Sequence, residues 1–389
     1  MDIISNDKTY IANTYARFPL VIESGSGSVV YDADGKEYID LGTGIAVNSF
    51  GVADPVWTKA VTQQLCKLPH TSNLYYSEPC VKLAEQLCLR TNMKRVFFSN
   101  SGAEANECAI KAARKYSAER YGDDRYNIIT LQNSFHGRTI TTLAATGQDV
   151  FHHDFLPLTQ GFLYAEPTVE SLSSVLAENS GHVAAIMFEV VLGEGGVIPL
   201  SRDFTDYMSK VAADEDILLI ADEVQTGNGR TGALYGYMNY DITPDIFTTA
   251  KGLGGGLPIG VTVFGEKTAD TLRAGEHGST FGGNPVVCAG ALSILNRIDD
   301  GLLASVREKS RYIKDELTCA SGIAGVTGMG LMLGIETTRS ASDVIADCMA
   351  RGVLVIKAKS KVRLLPALNI PQDKLAAAIA VLKEVCAAE

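Results

Sequence analysis

LLIADEVQTGNGRTG (residues 218–232) decides the architecture. Its first four residues are apolar and run without alternation into Asp222. Such a run is a strand covered on both faces. The polar, glycine-rich continuation ends it. A second run, DIFTTA (245–250), ends at Lys251 in AKGLGGGLPIG (250–260). Two successive strands therefore bring an acid and an amine to one edge of a sheet.

The same pattern extends outward. VFFSN (96–100), NIITL (127–131), GFLYA (161–165), AAIMFE (184–189) and VTVFG (261–265) are further candidate strands. Helical stretches separate most of them. In EANECAIKAARKY (104–116), Ala105, Cys108, Ala109, Ala112 and Tyr116 share one helical face. Apolar strands alternating with helices predict an α/β fold with a mostly parallel sheet. Ligands bind such sheets beyond the carboxyl ends of the strands. Residues 20–40 alternate as a meander, with Asp34-Gly35 as a hairpin turn. The C-terminal hundred residues predict a smaller α+β unit: a helix (VVCAGALSILNRI), strands MGLMLGIET, GVLVIKA and KVRLLP, and a closing helix. The expected division is 1–48 packing with the small domain, 49–284 as the large domain and 285–389 as the small domain.

At 389 residues, 46% hydrophobic and 20% charged, the chain can bury a large core. A net charge of −11 argues against nucleic acid and anionic membrane surfaces as main partners. No long apolar run predicts a spanning helix, and the N-terminus lacks a signal-peptide pattern. The eight cysteines form no C-x-x-C pair. They read as reduced core residues of a cytoplasmic protein, and no metal site is expected.

Each motif has a plain reading beside a functional one. Ser101 and Glu104 fit a helix capping box, while Gly102 and the free amides at the helix start also suit a phosphate. Asp222 is a cap for the next helix, or a partner for a protonated ring nitrogen. Lys251 is a surface lysine before a loop, or an amine facing the space its glycines leave. Phe135 is core or a stacking platform. Arg138 and Arg363 are solvated charges or carboxylate clamps. Glu194, in LGEGG, is a loop charge or a partner for one of these arginines. A buried acid and amine on one sheet edge suit pyridoxal 5'-phosphate. The carboxylate keeps the pyridine nitrogen protonated, so the ring acts as an electron sink, and the amine holds the aldehyde as a Schiff base.

Ten motifs in order, among them NTYARFP (13–19), GIAVN (44–48), HTSNLYYSEP (70–79), FSNSGAEAN (98–106), FHGRT (135–139), GEGGVIP (193–199) and GSTFGGNP (278–285), together resemble the class III aminotransferases. The likeness spans nearly the whole chain and is strongest to the acetylornithine branch. It implies the pyridoxal-phosphate type I fold. It also implies transfer of the terminal amino group of N2-acetylornithine to 2-oxoglutarate, in arginine biosynthesis, by ping-pong turnover. By the same resemblance, Lys251 holds the cofactor aldehyde and shuttles the proton, and Asp222 pairs with the ring nitrogen. Gln225 meets the ring hydroxyl, and Val224 and Phe135 sandwich the ring. Gly102 and Ala103, with Ser101 nearby, hold the phosphate; Glu223 is counted among the cofactor contacts. Thr280 completes the phosphate site of a neighbouring subunit in a homodimer. Arg138, Ser279 and Tyr15 contact substrate, with Arg17 as an added candidate. Arg363 binds the α-carboxylate of 2-oxoglutarate or glutamate, and Glu194 masks it when the other substrate is present.

The sequence departs from the family at one point. Glu189-Val190-Val191-Leu192 replaces the usual E-P-x-Q, which puts the substrate wall in question. Ornithine, succinylornithine, succinyldiaminopimelate and 4-aminobutyrate enzymes would share the cofactor residues. A non-catalytic cofactor-binding regulator and a nucleotide-dependent dehydrogenase are the rivals of other classes.

Overall fold

The computed structural model describes residues 2–388. Seven strands form the central sheet: β1 Arg95–Ser99, β2 Asn127–Leu131, β3 Phe162–Ala165, β4 Val183–Phe188, β5 Leu218–Asp222, β6 Ile246–Thr249 and β7 Gly260–Phe264. Their order across the sheet is β1-β7-β6-β5-β4-β2-β3. Strands β2 to β6 pair in parallel; β7 alone runs antiparallel, to both β6 and β1. Hence β1, β2, β4, β5 and β6 all end at the same edge.

Both faces of the sheet are covered. Ile129, Ile186, Phe188, Leu219 and Phe247 join one apolar core. Their neighbours Ile128, Ala185, Met187, Ile220 and Ile246 join another on the opposite face. This is the period-two alternation of a strand with no solvent side. The second core is closed by the helix Gly102–Tyr121, whose Ala105, Cys108, Ala109, Ala112 and Tyr116 are all buried as the helical spacing predicts. Of the cysteines, Cys66 and Cys319 are exposed rather than core residues; all eight are free thiols.

The C-terminal part differs from expectation in two details. MGLMLGIET is not one strand but the end of Ile323–Met329, a turn at Gly330, and Met332–Thr337. Gly330 has φ +56°, and a Cβ there would fall 2.4 Å from the Arg230 carbonyl oxygen. GVLVIKA is divided between two sheets: Val353–Leu354 pairs with Glu37–Asp40, and Ile356–Ala358 pairs with Lys361–Leu364. The N-terminal meander is thereby tied to C-terminal residues. The helix Pro285–Leu295 buries Cys288, Ala291, Ile294 and Leu295 in the large core, not the C-terminal one. The expected boundary before residue 285 therefore falls inside that core. Arg230, 2% exposed, joins the two parts by donating from Nη1 to the carbonyls of Leu331 and Pro366.

Candidate active site

Strand pairing places the acid and the amine. Asp222 ends β5 opposite Thr248 of β6, and Lys251 lies two residues past the end of that strand. Asn228 Nδ2 donates to Thr249 Oγ1 and the Ala250 carbonyl at 3.0 and 3.3 Å, pinning the approach to the lysine. Lys251 itself has φ +41°. A non-glycine residue held there costs on the order of 1–3 kcal/mol, strain typical of functional positions.

Asp222 and Lys251 line one cavity of about 520 Å³, a size suited to a small ligand. Ser101, Gly102, Ala103, Phe135, Arg138, Val224 and Gln225 share its walls. The sequence reading missed four further residues. Asn106 Nδ2 and His136 Nδ1 each stand 2.8 Å from Asp222 Oδ2. A carboxylate only accepts, so Nδ1 of His136 carries the proton. Val224 N–H donates to Oδ1 at 3.0 Å. Three donors leave about one lone-pair site of the carboxylate for the cavity. Glu189 also lines the cavity, and Phe151 stacks beneath Arg138, whose guanidinium lies 4.1 Å from its ring centroid and 5.5 Å from that of Phe135. Burial lowers the pKa of Lys251; Asp222, Glu194 and Glu189 oppose that shift and Arg363 adds to it.

At the helix start, Glu104 N–H donates to Ser101 Oγ at 3.2 Å, while Ser101 Oγ donates to Glu104 Oε2 at 3.1 Å. The Glu104 carboxylate also accepts from the backbone N–H of Asn100, not from that of the capping residue Ser101. Ser101 thus spends its proton on Glu104. The anion donors that remain are the Gly102 and Ala103 amides, which have no acceptor within the helix.

Arg363, 2% exposed, donates from Nη1 to Glu194 Oε1 at 2.7 Å and to Gln225 Oε1 at 3.0 Å. Its Nε is buried without a partner. Gln225 lines the Lys251 cavity, so the pair adjoins it.

Other expected residues stand elsewhere. Glu223 turns away and accepts from Thr226 Oγ1, Gly236 N–H and Tyr237 N–H, each at 2.7 Å. It staples a loop and does not line the Lys251 cavity. Tyr15 is exposed and lies under the guanidinium of Arg17, which also pairs with Asp7. Neither lines the cavity. Ser279 Oγ meets Asn100 Nδ2 at 3.2 Å, while Thr280 lines a separate crevice with Tyr75 and Tyr76. Val190 and Leu192 pack in the large core and leave the cavity wall to Glu189.

The residues fit pyridoxal phosphate on structural grounds. Gly102 has no room for a side chain: a Cβ would stand 2.7 Å from Val224 Cγ1. The backbone therefore approaches the cavity closely where an anion would rest. Opposite, Asp222 keeps a free acceptor site. Val224 and Phe135 provide apolar walls between them.

Residues 10–386 match the family model described as "Aminotransferase class-III". The chain is a class III aminotransferase. An acetylornithine aminotransferase of Haemophilus ducreyi is 48% identical over 97% of both chains. Among solved structures, the ornithine aminotransferase of Toxoplasma gondii superposes with a TM-score of 0.94 at 29% identity, covering 98% of this chain and 94% of that one. The N-acetylornithine aminotransferase of Stenotrophomonas maltophilia gives 0.85 at 34% identity, covering 98% of each. The aminotransferase thus has the type I fold of its class, with the seven-stranded sheet as its platform. No helix among the described residues is long and apolar enough to cross a membrane.

Proposed function

We propose that this aminotransferase moves the terminal amino group of N2-acetylornithine to 2-oxoglutarate, giving N-acetylglutamate 5-semialdehyde and glutamate, with pyridoxal phosphate as cofactor. Near-full-length identity of 38–48% to acetylornithine aminotransferases of bacteria supports the donor. The observation that carries the two-substrate reading is the ion pair of buried Arg363 with half-buried Glu194 beside the Lys251 cavity.

Pyridoxal phosphate, when bound, supplies an aldehyde that accepts and passes on an amino group, and a ring that absorbs the electron pair left by a departing proton. The Gly102 and Ala103 amides would hold its phosphate and Lys251 its aldehyde. Asp222, oriented by His136 and Asn106, keeps a proton on the pyridine nitrogen. Val224 and Phe135, which line the cavity, would exclude water from the cofactor's ring. Lys251 Nζ would be the base that takes the proton from the substrate's reacting carbon and returns it elsewhere. Its lowered pKa favours the free amine that this step needs.

The donor's reacting carbon bears no carboxylate, so Glu194 stays on Arg363 and neutralises it. Arg138 is the candidate clamp for the donor's distant carboxylate. 2-Oxoglutarate carries a carboxylate beside its reacting carbon. Glu194 then gives way, and the Nη1 it releases, together with the neighbouring Nη2, makes Arg363 a two-pronged donor for that carboxylate. One cavity thereby serves two substrates in alternation.

In this reading the enzyme acts in the cytoplasm as a homodimer, Thr280 of each chain facing the partner's cofactor phosphate. The high structural similarity to an ornithine aminotransferase favours ornithine as the second candidate donor. Initial rates with N-acetylornithine, ornithine, N-succinylornithine and 4-aminobutyrate, each against 2-oxoglutarate, decide. N-Acetylornithine should give the highest kcat/KM; a higher value for any other donor replaces it.

A further inference from the structure

Glu189 has no place in the reaction proposed for Lys251, yet it is 3% exposed and lines the same cavity. It directly follows β4. Its Oε1 accepts from Phe135 N–H at 2.9 Å, and its Oε2 accepts from Gly193 N–H at 3.4 Å. One carboxylate therefore joins the loop that carries the ring platform to the loop that carries Glu194.

The second loop is built as a short arm. Val197 N–H donates to the Leu192 carbonyl at 2.9 Å and closes its base. Beyond Glu194 the backbone passes through the left-handed region at Gly196 (φ +110°) and Val197 (φ +58°). Gly195, directly after Glu194, packs against the Asn133 carbonyl, where a Cβ would stand 2.6 Å away. On the other side Gly193 is crowded: a Cβ would fall 2.8 Å from Met332 Cε and 2.9 Å from Gln225 Oε1. The bond from Gly193 to Glu189 is the restraint next to the residue that must move. It is also the longer, weaker one of the pair. Burial raises the Glu189 pKa to about 7, and Asp222 adds to this; His136 and the two N–H donors oppose it.

We propose that Glu189 is a positioning residue of the substrate switch: by holding Gly193 it keeps Glu194 on Arg363, and so sets the balance between the amine-donor half-reaction and the glutamate half-reaction. This rests on the reading of Glu194 and Arg363 as that switch. Glu189 acts through the arm and touches no reacting atom.

The test uses holoenzyme of wild type, Glu189→Gln, Glu194→Ala and the double variant. Each is reacted in single turnover with N-acetylornithine and, separately, with L-glutamate, following the cofactor's absorbance. The glutamine side chain keeps the shape but offers one acceptor to two N–H groups. Loss of one modest hydrogen bond should raise the glutamate-to-acetylornithine ratio of kcat/KM by about three- to ten-fold. Glu194→Ala should move the ratio the same way, and adding Glu189→Gln to it should change nothing further. An unchanged ratio, an equal fall in both half-reactions, or a further shift in the double variant overturns the proposal. If Glu189→Gln does not fold, Glu189→Asp, too short to reach both N–H groups, carries the same expectation. Should the donor panel favour another amine, the ratio is measured with that amine, so an error in the substrate leaves this test intact.

Discussion

At the scale of single residues, the chemistry depends on which charges surround Lys251. Its amine must be unprotonated to capture an aldehyde. Burial lowers its pKa from the ordinary 10.5, and the Asp222 carboxylate is the strongest influence pulling it back up. A lowered pKa enlarges the free-amine fraction at every pH below it. Covalent loading of the apoenzyme should therefore proceed near neutral pH and level off earlier than for a simple alkylamine. Removing the opposing negative charge should lower the pKa again. The midpoint of loading rate against pH, read by stopped-flow absorbance, is expected to move to lower pH in Asp222→Asn. A midpoint that stays or rises would remove the electrostatic account. Asp222 and Lys251 were legible in the sequence because each ends an apolar strand, where a charge stands out. His136, Asn106 and Glu189 were not. Asn106 lies inside a helix and Glu189 after β4, and their roles exist only because three chain segments converge on Asp222 and Phe135. Glu223 stands apart from the cavity for the converse reason. It neighbours Asp222 in sequence, but successive residues after a strand face different ways, and its carboxylate went to Gly236 and Tyr237.

At the scale of elements, apolar runs bounded by turns located all seven sheet strands. The C-terminal elements were harder because their breaks carry no polar signal. The turn inside MGLMLGIET falls at Gly330-Leu331, and the switch between sheets inside GVLVIKA falls at Val355; both leucine and valine are buried there. Hydropathy does not separate a strand from a tight buried turn. The β1-to-helix junction yields a direct prediction. Gly102→Ala puts a methyl group 2.7 Å from Val224 Cγ1. Either Val224 leaves the ring face or the helix start retreats from the phosphate. Overpacking of this kind costs about 1–3 kcal/mol. Because the strain falls on the cofactor seat, it should appear as weaker cofactor retention, roughly ten-fold by this measure. Equilibrium dialysis of the holoenzyme checks it. Unchanged retention would mean that Gly102 is needed for the helix turn alone.

At the scale of the whole molecule, Thr280 poses the remaining geometric question. It lines a crevice with Tyr75, Tyr76 and Thr71, not the Lys251 cavity. Leu74 is 86% exposed, Tyr76 99% and Phe281 61%. So much apolar surface on one ridge marks an interaction face. The ridge is held rigidly, since Asn73 Nδ2 donates to the carbonyls of Ser279 and Gly282 at 2.9 Å. In the homodimer proposed above, a second copy of the chain covers this ridge and gives Thr280 a phosphate to bind. The prediction comes from counting complete sites. In a mixed dimer of one Lys251→Ala chain and one Thr280→Ala chain, sharing across the interface leaves one site with both defects and one with neither. If Thr280 instead served its own chain's site, both sites of the mixed dimer would be defective. Each parent variant should therefore be impaired, Lys251→Ala nearly inactive and Thr280→Ala weak in cofactor retention. Mixing after dissociation should restore native cofactor affinity in up to half of the heterodimer's sites. Tyr76→Asp, which buries a charge in the same contact, should shift the protein to monomers in sedimentation velocity and abolish the restoration. Mixed dimers that bind cofactor no better than the average of their parents would assign Thr280 to its own chain and leave the ridge without this role.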